Sequence, residues 1–154
     1  MPYRPFEGQH CSIARTLAIV GERWTLLVLR EVLLGRRHYA EIRRETGVAT
    51  NILADRLETM VQHGILEVDA DGAYRATPKG LDLQPVLIAL MEWGDAHAGE
   101  PPPRVLVHTR CGHDTRPEYR CSHCGEPVPP QELRARPGPG ATEQMRAAGV
   151  LPAG

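Results

Sequence analysis

The stretch "HYAEIRRETGVATNILADRLETMVQHG", residues 38–64, decides the fold because it encodes two helices joined by a tight turn, "TGVAT". Gly47 is placed to end the first helix, Thr50 to cap the start of the second, and Gly64 to end it. Apolar residues recur at helical spacing in both parts, at Tyr39 and Ile42 and then at Ile52, Leu53, Leu57, Met60 and Val61. We therefore predict a helix-turn-helix.

Two more helices are predicted upstream of this pair. "CSIARTLAIVG" (11–21) carries an apolar stripe and ends at Gly21, which we expect to adopt a left-handed C-terminal cap. "ERWTLLVLREVLLG" (22–35) repeats the pattern and ends at Gly35. The stripes consist of Ile13, Leu17 and Val20 in the first helix and of Trp24, Leu27, Val28 and Val32 in the second.

Downstream, the sequence changes to a β-hairpin and then returns to a helix. "ILEVDADGAYRAT" (65–77) is two short extended runs around Asp71-Gly72, a pair that suits a tight hairpin turn. Thr77 then caps a helix that has Pro78 at its first position, and Pro85 is expected to kink or restart it. Its apolar face is long for so small a body, which suggests a partner helix from another subunit.

These elements give a fold class that is mainly α with a small β-hairpin wing, a winged helix-turn-helix, plus a small C-terminal β module like a zinc ribbon. We assign residues 1–100 to DNA binding and dimerisation and residues 101–104 to a proline-rich linker. Residues 105–136 form the zinc-ribbon-like module, and residues 137–154 are expected to be a disordered tail.

Composition is that of a globular protein, with 42% hydrophobic residues, and the formal net charge is −1. The charge is uneven, because residues 23–56 hold seven arginines against four acids and so carry +3 locally. No apolar run is long enough to cross a bilayer, and the N-terminus lacks the apolar segment of a signal peptide. We expect a cytoplasmic protein without membrane partners.

Four stretches carry a family resemblance: Cys11 ahead of the first helix, "GERWTLLVLREVLLGRRHYAEIRR" (21–44), "NILADRLETMVQHGIL" (51–66) and "YRATPKGLDLQPVLIALMEWGDAH" (74–97). With them the chain resembles the HxlR family of bacterial winged-helix regulators, related to MarR proteins, over roughly residues 10–98. The resemblance implies a homodimeric DNA-binding transcription regulator whose terminal helices form the dimer interface.

Family position and helix geometry together assign the DNA contacts. Thr50, Asn51 and Arg56 lie on the recognition helix, whose first turn enters the major groove, where Asn pairs with adenine and Arg with guanine or phosphate. Thr50 could instead cap the helix, and Arg56 could form an intrahelical ion pair. Phosphate contacts are predicted for Arg36, Arg37, Arg43 and Arg44, and a wing contact for Arg75, with a solvated basic face as the alternative.

Cys11 is the one cysteine outside a C-terminal cluster. Some members of the resembled family sense oxidants or electrophiles with a cysteine near this helix, and a helix N-terminus lowers a thiol pKa. Cys11 is therefore our candidate redox sensor, and a small buried hydrophobe is the alternative.

"HTRCGHDTRPEYRCSHCGE" (108–126) contains two metal-ligand pairs, His108 with Cys111 and Cys121 with Cys124, and each pair ends in Cys-Gly. Two such turns predict a closed tetrahedral Zn²⁺ site of structural type. His113 or His123 could replace His108 as the fourth ligand. A metal-free β unit with reduced thiols is the alternative, because spacing alone is a hypothesis.

We therefore expect a homodimeric, sequence-specific transcriptional regulator, a repressor rather than an activator, that occupies a pseudo-palindromic site on double-stranded DNA. It would respond to a small-molecule effector or to thiol-reactive stress. A protein-interaction module built on a winged helix is the alternative hypothesis. A zinc or thiol enzyme is disfavoured, because the sequence shows no converging acid and base around the cysteines.

Overall fold

A computed structural model describes residue 6 and residues 8–149. Its helices are α1 Ser12–Val20, α2 Arg23–Leu33, α3 Tyr39–Thr46, α4 Thr50–Gln62, α5 Pro78–Leu81, α6 Gln84–His97 and α7 Glu143–Ala148. Its strands are β1 Leu66–Val68, β2 Tyr74–Ala76, β3 Leu106–His108 and β4 His113–Thr115. The chain divides into two compact units at Glu100 and Pro101. None of the described helices is long and apolar enough to span a membrane.

The core of the first unit is formed by α2, α3, α4 and β1, which is the packing of a helix-turn-helix with a wing. Leu29 of α2, Ile42 of α3 and Leu53 of α4 are fully buried there. The other members are Val20, Val28, Val32, Val48, Leu57, Met60, Ile65 and Leu66. The mainly helical fold with a hairpin wing is as the sequence predicts.

The predicted stripe of α1 faces a different way from the one expected, because Ile13 and Leu17 are exposed and Ala14 is buried with Val20. The predicted stripe of α2 is largely confirmed: Val28 and Val32 are buried and Trp24 packs on the core. Its fourth member, Leu27, is exposed, and Leu29 is buried. The sequence pattern found apolar residues at helical spacing, but it did not decide which of two adjacent stripes meets the core.

Glycine ends three of the predicted helices in the left-handed region, with φ of 92° at Gly35, 68° at Gly47 and 66° at Gly64. The prediction for Gly21 is wrong, since its φ is −76°. Glycine is needed there for space, because a Cβ would lie 2.4 Å from the carbonyl oxygen of Leu17. The predicted cap at Thr50 is also wrong: Ala49 occupies the N-cap position, and α4 begins at Thr50.

The wing is the predicted hairpin, with Glu67 opposite Arg75 and Gly72 in the left-handed turn at φ 76°. Asp69 closes the turn, because its carboxylate accepts hydrogen bonds from the backbone N–H groups of Asp71 and Ala73, each at 3.0 Å. The turn end of the wing is attached to the helix-turn-helix where the Tyr74 N–H donates to the Arg37 carbonyl, at 2.8 Å.

The segment "TPKG", residues 77–80, joins the wing to the end of α4. The Thr77 hydroxyl donates to the Gly64 carbonyl at 2.6 Å, and the Lys79 ammonium donates to the carbonyl of His63, the C-cap of α4, at 2.7 Å. Gly80 packs so closely that a Cβ would lie 2.2 Å from the Ile65 carbonyl oxygen. The four residues therefore hold the recognition helix and the wing in one arrangement.

The helix after the wing is interrupted as predicted. Thr77 caps α5, which has Pro78 at its start, and α6 restarts at Gln84 with Pro85 in its first turn. No residue of α6 is fully buried. Its apolar face is divided: Leu83 and Leu87 pack on the core, whereas Leu90 and Trp93 are exposed.

The second unit contains the β3–β4 hairpin, a bridge between Arg120 and Pro127, and α7. None of its described residues, 101–149, is fully buried. Within the predicted tail, the Thr142 hydroxyl accepts from the Met145 N–H at 3.3 Å and starts α7. Residues 150–154 of that tail lie outside the described residues.

We predict that Gly80→Ala destabilises the first unit by about 1–3 kcal/mol, because its methyl group would overlap the Ile65 carbonyl. Urea denaturation followed by circular dichroism measures this. Gly138→Ala is the matched control, since a Cβ there meets nothing within 4 Å and its φ is ordinary. Equal stability of the two variants would contradict the close approach at Gly80.

Candidate nucleic-acid interface

The turn between α3 and α4 presents the start of the recognition helix to solvent. The Tyr39 hydroxyl donates a hydrogen bond to the Thr50 carbonyl at 2.7 Å, so α3 holds the first turn of α4. Thr50, Asn51 and Ala54 are exposed, while Leu53 points into the core. The structure thus presents two of the predicted DNA-contacting residues, Thr50 and Asn51, on an accessible helix terminus.

Arg56 does not share this exposed face. Its side chain is 19% exposed and forms ion pairs with the adjacent Asp55 and with Glu22, the latter at 3.9 Å. Glu22 also caps α2 by accepting the Trp24 N–H at 2.9 Å. The Arg56 side chain therefore links α4 to the start of α2, and its contact with DNA stays a prediction.

The predicted phosphate-contacting arginines fall into two groups. Arg43 and Arg37 are exposed, and within the described residues neither side chain has a carboxylate at ion-pair distance. Arg44 is exposed and pairs with Glu45 at 3.0 Å, in a contact that solvent screens. Arg36 turns inward, with its Nε 3.7 Å from buried Glu31.

Two glutamates that the sequence reasoning missed position the basic segment. Glu31 is buried and is paired with Arg30 at 2.7 Å as well as with Arg36. Glu41 accepts the backbone N–H groups of His38 and Arg37, each at 3.1 Å, and these N–H groups lower its pKa. The spacing from His38 to Glu41 is that of an N-cap and its third helical residue, and this signal could have identified Glu41.

Arg75 of the wing is half-exposed and forms an ion pair with Asp69 across the hairpin, at 2.9 Å. The pKa of Asp69 is lowered, mainly by the Ala73 N–H and then by Arg75. Arg75 lies on the wing surface, and a contact of its side chain with DNA would compete with its ion pair to Asp69.

Cys11 lies at the N-cap position of α1 and is half-buried. The backbone N–H groups of Ala14 and Ile13 in the first turn lower the pKa of its thiol, with a smaller contribution from Arg15. This agrees with the effect expected of a helix N-terminus on a thiolate.

The four predicted metal ligands are present as two pairs and not as one closed set. His108 Nδ1 lies 3.2 Å from Cys111 Sγ. The backbone N–H groups of Cys124 and His123, together with the Cys124 thiol, lower the pKa of Cys121. Among residue 6 and residues 8–149, no three His, Cys, Asp or Glu side chains form a group that could hold a metal ion.

Comparisons with known proteins agree with this architecture. Residues 19–101 match the HxlR-like helix-turn-helix family. The chain is 38% identical over 143 residues to Rv3095, an uncharacterised HTH-type transcriptional regulator of Mycobacterium tuberculosis, covering 88% of this chain and 89% of the relative. An uncharacterised HTH-type regulator of Synechocystis, sll1512, is 33% identical over 97 residues, covering 58% and 72%.

Solved structures show the same fold. PA1607, a putative transcription factor, is 32% identical with a TM-score of 0.72, covering 83% of this chain and 95% of its own. PA1374 of Pseudomonas aeruginosa, also a putative transcription factor, is 35% identical with a TM-score of 0.62, covering 90% and 99%. Quinone-bound YodB of B. subtilis is 27% identical with a TM-score of 0.51, covering 56% and 98%.

The family match spans more than half of the chain, and the relatives are named as regulators rather than as enzymes. The winged helix-turn-helix and the exposed start of α4 are the structural features that such regulators need. The chain belongs to the HxlR-like helix-turn-helix family and is a DNA-binding transcriptional regulator.

Proposed function

We propose that the protein binds a pseudo-palindromic DNA site as a homodimer and reads base edges with the first turn of α4. The observation that carries this proposal is the exposed Asn51 at a helix start whose other face is buried in the core. Asn is suited to a bidentate hydrogen-bonded pair with adenine in the major groove. Thr50 is exposed beside it and supplies a second hydrogen-bonding side chain.

Exposed arginines around the turn supply contacts with DNA phosphates, which do not depend on the base sequence. Arg43 lies in the last turn of α3, and the carbonyl of Arg37 accepts a hydrogen bond from the second strand of the wing. Neutralising phosphates with these side chains releases counterions, so affinity falls as salt rises. A protein-interaction module would not need this basic segment beside an exposed Asn51. Repression rather than activation stays our prediction.

Selection of duplexes from a random pool by the purified full chain tests the DNA proposal. We expect two inverted half-sites with centres about one helical turn apart. Asn51→Ala should reduce discrimination at one base pair by about 1–3 kcal/mol. Arg43→Ala should weaken binding to all sequences and reduce the slope of log affinity against log salt by about 0.9.

Arg146→Ala on α7 is the matched control and should leave the salt slope unchanged. Thermal unfolding of each variant checks that folding is retained. Failure to enrich any half-site, or wild-type specificity in Asn51→Ala, would contradict the proposal.

The homodimer is supported by apolar side chains that the first unit leaves exposed on its terminal helices. Trp93 and Leu90 of α6 are 67% and 53% exposed, and Ile13 of α1 is 70% exposed. Folded monomers rarely leave large apolar side chains grouped on the surface unless they mark an interface. A two-fold axis would bring identical helices of two subunits together and bury these side chains.

We predict that Trp93→Glu combined with Leu90→Glu converts the dimer to a monomer, because each subunit would place two charges in the apolar contact. Sedimentation equilibrium at micromolar concentration measures the mass. Leu34→Glu replaces an equally apolar, exposed residue outside α1 and α6 and should stay dimeric. A monomeric wild type, or a dimeric double variant, would contradict the proposed interface.

We further propose that Cys11 makes DNA binding sensitive to electrophiles. Its lowered pKa increases the thiolate fraction near neutral pH, and the thiolate is the nucleophile. YodB, the relative named above, has been solved with a bound quinone. The Cys11 thiolate would add to a ring carbon of a quinone, which then takes up a proton to become a hydroquinone thioether.

We predict that p-benzoquinone lowers operator affinity of the wild type and leaves Cys11→Ser unaffected. Peptide mass spectrometry locates the adduct, and Ser12→Ala, next to Cys11 and exposed, is the matched control that should keep the response. An equal loss of affinity in Cys11→Ser would contradict a sensing role for Cys11.

A further inference from the structure

We propose that the second unit binds one zinc ion per chain through His108, Cys111, Cys121 and Cys124, and that this ion joins two turns that are already shaped as half-sites. Zinc commonly takes four such nitrogen and sulfur ligands in a closed tetrahedron when its role is structural.

The first half-site is the turn of the β3–β4 hairpin. The Gly112 N–H donates to the His108 carbonyl at 2.7 Å, and Gly112 has φ 74°, which turns the chain back directly after Cys111. His108 Nδ1 and Cys111 Sγ are 3.2 Å apart, close to the separation of about 3.5 Å expected for two ligands of one tetrahedral zinc. These two donors already have the spacing of a chelating pair.

The second half-site repeats this design with two thiols. The Gly125 N–H donates to the Cys121 carbonyl at 2.9 Å, and Gly125 has φ 77° directly after Cys124. The Cys121 N–H donates to the Glu126 carbonyl at 2.9 Å, which closes the turn.

The described part of the second unit has no buried hydrophobic core to hold its two turns together. In residues 105–136 no side chain is fully buried, and the half-buried ones are Leu106, Cys121 and Val128. Among the described residues, no hydrogen bond joins the β3–β4 hairpin to the turn at 121–125. Small units without a hydrophobic core need a metal, a disulfide or a partner to hold them together. A zinc ion shared by the two turns would supply that link.

We choose His108 because its Nδ1 faces the Cys111 sulfur, at 3.2 Å. His113 Nδ1 lies 2.8 Å from the Cys111 carbonyl oxygen, and this contact leaves only Nε2 of that ring to bind a metal. A set of four protein ligands closes the coordination sphere, and we assign the zinc a structural role.

Metal binding by the full chain tests this inference. Protein prepared without chelator should contain about one zinc per chain by mass spectrometry of the metal, as one tetrahedral site requires. Chain stripped of metal and loaded with Co²⁺ should show the intense visible bands of tetrahedral cobalt and sulfur-to-cobalt charge transfer. Cys121→Ser should lose both the bound zinc and the cobalt bands, while the matched control Cys11→Ser should keep them.

Two further measurements test the choice of His108 as a ligand and the stabilising effect of the metal. His108→Ala should weaken cobalt binding at least about tenfold, while His113→Ala should retain it. Trypsin should cleave after Arg120 faster once the metal is removed. The inference is overturned if the reduced wild type binds neither metal, if Cys121→Ser binds like wild type, if cysteines of the unit form a disulfide instead, or if His113 and not His108 is required.

Discussion

The arrangement of the first unit depends on how α4 is held between the core and two hydrogen-bonded ends. Leu53, Leu57 and Met60 are completely covered, so one face of the helix is committed to the core. At its start the Tyr39 hydroxyl binds the Thr50 carbonyl, and at its end Lys79 binds the His63 carbonyl. A recognition helix fixed in this way has little freedom to rotate, so its exposed first turn can present side chains to DNA in a constant register.

The wing and the basic segment take their positions from the same constraint. Gly80 allows the Ile65 carbonyl to approach closely, which fixes the base of the hairpin against the end of α4. Tyr74 then ties the second strand to the Arg37 carbonyl, in the segment where the basic residues begin. The residues of the turn and the wing that we propose to contact DNA are therefore connected by hydrogen bonds within the first unit.

The fold could be predicted largely from the sequence because apolar spacing, capping residues and turn glycines agree along residues 11–97. Side-chain partners could not be predicted in the same way. Arg56 and Arg36 look like DNA contacts in the sequence, but buried or nearby glutamates bind them in the fold. The spacing of histidine and cysteine residues identified the two candidate ligand pairs of the second unit. It could not predict whether the two pairs lie together, because no buried core fixes their positions.

Hydrogen–deuterium exchange of the full chain, with and without its selected operator duplex, tests directly whether the first turn of α4 reads the DNA sequence. DNA should slow exchange at the α3–α4 turn, at the first turn of α4 around Asn51 and at the wing around Arg75, since those backbone groups would be covered. A control duplex of scrambled sequence at the same salt should give much weaker protection. Equal protection by both duplexes, or no change at the start of α4, would contradict sequence reading by this helix.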